Sequence, residues 1–139
     1  MRAIYLVVLS LCIGSFASAG DYFYTTTKLA KICRAEIRAA DEMDNRGKSN
    51  AGDLMDGLSC LNYIQGVLDA FEAASKWNWT PQAETVCVPP SVKGDQAVRI
   101  FMKYADNHPE KLDMAAPSVL WSAMHDAFPC TANKGQPPD

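Results

Sequence analysis

The sequence is short of the side chains that do chemistry. Among 139 residues there are two histidines and five cysteines, and aromatic residues make up only 9%. An enzyme working near neutral pH needs titratable groups converging in one pocket, and this chain offers few. It also lacks a long hydrophobic run. The longest, residues 4–13, is about half of the ~20 residues that cross a bilayer as a helix. Basic residues stand singly, without the clustered stripe that follows a phosphate backbone, which argues against nucleic acid. No two cysteines stand at C-x-x-C spacing, which argues against structural zinc. Asp41, Glu42 and Asp44 lack the alternating oxygen ligands and closing glutamate of a calcium loop. Neither a metal nor a cofactor is expected.

What the chain does have begins with an export signal. Arg2 supplies a positive start, residues 4–13 a short apolar core, and Ala17-Ser18-Ala19 the small residues that precede cleavage. Residues 1–19 are therefore read as a leader removed after Ala19, leaving a chain without a membrane anchor, more acidic than the printed net charge of −3 by the loss of Arg2. Cys12 follows Leu11 inside the apolar run, where lipoprotein processing would want a small residue, so it leaves with the leader. Residues 20–130 make one domain of ordinary size, and residues 131–139, with Gly135, Pro137 and Pro138, read as a flexible tail. The four cysteines that stay, Cys33, Cys60, Cys87 and Cys130, read as two disulfides in an oxidising compartment.

Helical spacing accounts for most of the rest. Residues 27–42 carry Leu29, Ile32, Cys33 and Ile37 on one stripe, and the polar residues 45–52 read as a loop. Asp53 can cap a second helix, in which Leu54, Leu58, Leu61, Ile64, Val67, Leu68 and Phe71 recur at three- and four-residue steps. As the most apolar segment it is expected to be central. Pro89 and Pro90 forbid a helix across residues 85–90. Ser91 can cap a third helix over residues 93–107 with Val98, Phe101, Met102 and Ala105 inward, stopped at His108-Pro109. A fourth, residues 115–127, tolerates Pro117 in its first turn and turns Val119, Leu120, Ala123, Met124 and Ala127 inward. No segment alternates strictly, so the fold class is all-α: a small four-helix domain. If consecutive helices form antiparallel hairpins, Cys33 meets Cys60 and Cys87 meets Cys130.

Individual residues with chemical potential have structural readings that compete well. His108 sits at a helix end, where an imidazolium suits the dipole. His125 and Asp126 are adjacent on a helix and point in different directions, so they make no dyad. Asp53 and Asp56 place negative charge at a helix start. Asn78-Trp79-Thr80 matches a glycosylation pattern, but Pro81 follows at once and the match reads as chance. Trp77, Trp79 and Trp121 are more informative, because large rings in or near a loop often anchor binding surfaces. Gly66 costs about 1 kcal/mol relative to Ala within a helix, which suggests a close approach by a neighbouring helix. Tyr63 can bury its ring and leave its hydroxyl for a partner.

The run Cys60-Leu61-Asn62-Tyr63-Ile64-Gln65-Gly66-Val67-Leu68-Asp69, then Cys87-Val88-Pro89, His108-Pro109-Glu110 and Ala127-Phe128-Pro129-Cys130, resembles the Rap/Tai family of type VI secretion immunity proteins. The resemblance spans nearly the whole mature chain. It implies a small helical periplasmic protein, often a homodimer, whose partner is a peptidoglycan-cleaving amidase effector that it binds and inhibits. Contacts to such an effector are expected from Trp77 and Trp79 in the connector and from Arg46 and Lys48 in the first loop, since aromatic and basic anchors dominate many interfaces. Other readings remain: an acid-stress chaperone of the small disulfide-bonded kind, which would need many carboxylates losing charge on acidification, a general envelope protein of the same fold, or a carrier with a large apolar cavity.

Overall fold

Thr25 starts the first helix by turning its side-chain oxygen back to accept the Lys28 N–H at 3.3 Å. The computed structural model describes residues 24–77 and 86–130. It contains α1 (Thr26–Arg46), α2 (Ala51–Lys76), α3 (Gly94–Asn107) and α4 (Ala116–Ala127), with a 3₁₀ turn at Pro109–Lys111 between the last two. Among the described residues there is no strand, only isolated bridges at Thr25–Ala115 and Val86–Pro129. The leader, Trp79 and the tail lie outside the described residues.

Helix α1 runs one turn past its expected end and stops at Gly47, whose φ of 63° is left-handed and whose N–H returns to the Met43 carbonyl. The loop is correspondingly shorter than expected. Asn50, not Asp53, caps α2, its side-chain oxygen accepting the Gly52 N–H at 2.8 Å. Asp53 falls in the first turn and instead takes a two-pronged contact from Arg38 at 2.7 and 3.1 Å. Lys93, not Ser91, precedes α3, without a side-chain cap.

Falling numbers on α1 meet rising numbers on α2: Arg38 with Asp53, Glu36 with Gly57, Cys33 with Cys60 and Tyr24 with Tyr63. The pair is an antiparallel hairpin, and the Cys33–Cys60 disulfide bridges it with 5.1 Å between Cα atoms. Cys87 and Cys130 are likewise joined and close the α3–α4 unit, where the Cys87 N–H also donates to the Phe128 carbonyl at 3.1 Å. A second clasp was not legible in the sequence. The Thr26 and Thr27 N–H groups donate to the Met114 and Leu112 carbonyls at 2.9 Å, and both hydroxyls donate to the same carbonyls at 3.0 Å. The start of α1, whose first amides have no intrahelical partner, is satisfied by the α3–α4 connection.

The core gathers Leu29, Ile64, Val98, Phe101, Leu120 and Met124, all essentially fully buried. The residues expected on the inner face of α3 are buried there, with Ala97 besides, and α4 buries Ala116 in addition to the expected residues but leaves Ala127 exposed. Helix α2 is not central. Helices α1 and α3 pack against every other helix, whereas α2 packs mainly against α1 and buries only Gly57, Cys60 and Ile64. Leu54 and Leu58 of its apolar stripe are exposed, because the α1 residues across from them include Ala39 and Ala40, too small to cover them.

The glycine that lets two helices approach is Gly57, not Gly66. A Cβ on Gly57 would stand 2.9 Å from Glu36 Cα, whereas one on Gly66, which is exposed, would meet nothing within 4 Å. Gly66→Ala should therefore raise the unfolding free energy by about 0.5–1 kcal/mol through the gain in helix propensity. Gly57→Ala gains the same propensity but must push backbone from backbone, at about 1–3 kcal/mol, and should be net destabilising. Paired urea titrations check the opposite signs.

Candidate functional site

The short loop and the missing side chain at Gly57 together leave an apolar groove between α1 and α2. It has a volume of about 170 Å³ and is lined by Glu36, Ala39, Ala40 and Met43 from α1 and by Leu54, Gly57, Leu58 and Leu61 from α2. Small residues on α1 keep it open. Leu54 and Leu58 are 47% and 48% exposed, and Met43 and Met55 beside them are more so. Met43, Leu54 and Leu58 line the groove together, and exposed apolar surface of this kind marks interaction sites.

Glu36 is the anomaly of the groove. It is 7% exposed, and its Oε2 has no hydrogen-bond partner. A buried carboxyl without a partner is costly, so such atoms are rare in native proteins. Burial raises its pKa above the ordinary 4.5, Arg99 opposes that, and Asp95 and Asp41 add to it. Arg99 is itself committed to Asp41, with 3.3 Å between the charged atoms. Among the described residues no group of three or more histidine, cysteine, aspartate or glutamate side chains could hold a metal ion. Glu36 is the one charged residue in the lining of the groove.

The residues expected to touch a partner fall at two ends of the molecule. Arg46 closes α1 and exposed Lys48 lies in the following loop, at the end where Met43 and Leu54 open the groove. Arg46 also borders a separate polar depression with Arg38, Asp41, Glu42 and Asn45. Trp77 follows the last turn of α2 and is 62% exposed. At ~1.5 Å per residue the length of α2 sets it roughly 35–40 Å from the loop. Arg46 and Lys48 thus lie at the loop end of the hairpin but do not line the groove, Trp77 lies at the opposite end of α2, and Trp79 lies outside the described residues.

Both histidines have structural surroundings. The His108 ring packs on Tyr104, with centroids 4.2 Å apart, and its Nδ1 is 3.0 Å from Glu110. The Glu110 carboxyl is held below its usual range by a backbone hydrogen bond and by His108. His125 stacks on Trp121 at 4.8 Å. Tyr63 is half-buried against Tyr24, its hydroxyl pKa raised by burial and then by that neighbour. Of the groove residues, Leu54, Leu58 and Leu61 were read from sequence as part of the apolar stripe of α2, and the others carried no reading. The available signal was that Leu54, Met55 and Leu58 crowd more than one face of α2 opposite Ala39 and Ala40, which are too small to cover them.

Among the described residues no helix is long and apolar enough to cross a membrane. A family model described as Rap1a immunity proteins matches residues 25–130, the span that holds all four helices and both disulfides. Searches of curated proteins and of solved structures find no match.

Proposed function

The chain belongs to the Rap1a immunity proteins, and from that membership we propose that it is a non-enzymatic periplasmic inhibitor of a peptidoglycan-cleaving amidase delivered by type VI secretion. The leader is removed after Ala19, and the domain of residues 20–130 is the working part. The observation that carries this reading is the family match over residues 25–130. The groove supports it: a protein that acts by docking needs exposed apolar surface, and the end of the α1–α2 hairpin offers Met43, Leu54, Met55 and Leu58. A domain fixed by two disulfides loses little conformational entropy when it docks, which favours tight binding. Arg46 and Lys48 extend the groove contact with positive charge at the loop end of the hairpin, where they steer encounter more than they add affinity. Trp77, at the far end of α2, is a second contact, and Trp79 is assigned to it from the sequence alone.

Periplasmic expression of the amidase encoded beside this chain tests the role in cells. Cells that also make this chain with its leader should keep their walls, and cells that make it without the leader should lyse. Lysis in both cultures would refute an immunity role.

A further inference from the structure

We propose that the α1–α2 groove is a receptor for one basic side chain of the bound effector, with the lysine or arginine stem lying on Ala39, Ala40, Leu58 and Leu61 and its cation meeting the Glu36 carboxylate. The inference rests on the inhibitory role above and adds the chemistry of the group that fills this groove.

Three observations point to a cation. First, Glu36 is 7% exposed and its Oε2 lacks a partner. A wholly apolar occupant would cover what remains exposed of the carboxyl without satisfying it, which is unfavourable. Second, Arg99, the strongest charge acting on Glu36, is shared with Asp41. On α3, Asp95 and Arg99 face Glu36, and on α1 so does Asp41. Two of these three neighbours are negative, and the third is engaged. Third, the groove is apolar and Glu36 is the one charged residue of its lining. That suits a lysine or arginine side chain, an aliphatic stem with a charged tip. Gly57 is part of the device, because any side chain there would press on the Glu36 backbone and displace the carboxyl.

The test uses small probes, so that it does not depend on an effector. Amide resonances of the mature chain are followed by NMR during titration with n-butylguanidinium and, separately, with neutral N-butylacetamide of similar length. The guanidinium should shift Ala39, Ala40, Gly57 and Leu58, and the neutral probe should not. Glu36→Gln should abolish the shifts. Leu58→Lys, at an exposed position that leaves the core intact, supplies a cation from the chain itself and should block the probe even if Glu36→Gln fails to fold. In the chain–effector complex, Glu36→Gln should weaken binding at least tenfold, and Arg38→Gln, outside the groove, should not. Equal response to both probes, or unchanged guanidinium shifts in Leu58→Lys, would overturn the inference while leaving the inhibitory role standing. So would groove resonances that move with protein concentration alone, which would mean that a second copy fills the groove. Loss of inhibition with the probe response intact would count against the role instead.

Discussion

Replacing Phe101 by Ala is expected to lower the unfolding free energy by about 3–5 kcal/mol, the range found when a buried aromatic ring is truncated and its neighbours close the space only in part. Phe101 is fully buried and is the largest of the fully buried side chains. It lies on α3, which packs against every other helix, so the cavity would open where all four meet. A domain of this size has about 5–15 kcal/mol to lose, and the variant should sit near the edge of folding at 37 °C. Met55→Ala removes a side chain of similar reach that is 67% exposed, and should change stability by less than about 0.5 kcal/mol. Urea unfolding of the two variants side by side separates core from surface. Equal midpoints would contradict the burial described above.

The Cys33→Ala, Cys60→Ala double variant should lose about 2–5 kcal/mol, the usual result of deleting a native disulfide from a small exported domain. Both cysteines are fully buried, so the variant loses packed sulfur atoms as well as the restraint on 27 residues of separation. The second bridge restrains a longer separation of 43 residues, but Cys87 is exposed and Cys130 half-buried. Its loss therefore acts mainly through the unfolded chain. Calorimetry of the two double variants, each with its other bridge intact, should show the Cys33–Cys60 deletion reaching further into the enthalpy of unfolding. An unchanged melting temperature for that variant would show that the hairpin does not depend on its staple.

Hairpin topology and both disulfide pairings were legible in the sequence because the spacing argument needs only helix ends and a short loop. Each cysteine lies at a height fixed by its distance from the turn. The inner face of α3 was legible for a related reason: Val98, Phe101, Met102 and Ala105 repeat at helical steps with charged residues between them. The position of α2 was not. Its apolar residues outnumber the places available for them, and periodicity gives the direction of an apolar face without saying how much of it neighbours will cover. Ala39 and Ala40 decide that, and their effect on Leu54 and Leu58 appears only when α1 and α2 are laid together. The clasp of Thr26 and Thr27 on the α3–α4 connection was hidden likewise, since it joins residues more than eighty positions apart.

The candidate site was legible at one edge. Arg46 and Lys48 were expected to be contacts from their place in a polar loop, and they lie at the same end of the hairpin as Met43 and Leu54 without lining the groove. Trp77 was grouped with them by residue type, but the length of α2 separates them. Glu36 gave no signal at all, because a glutamate in a helix is ordinary until its oxygen is found buried and unpartnered. The linkage sign at Glu36 is informative. Its folded pKa is raised above the ordinary 4.5, so the folded state holds the proton more tightly and stability falls as pH rises from about that value through the folded pKa.

The most direct measurement is inhibition itself. The mature chain is titrated into the amidase encoded beside it, and release of peptidoglycan fragments is recorded at each ratio. Inhibition by docking predicts that hydrolysis falls linearly to zero at a fixed stoichiometry, with nanomolar affinity, and that excess substrate protects the enzyme only as competition for the same cleft requires. Full hydrolysis at saturating chain would contradict the account.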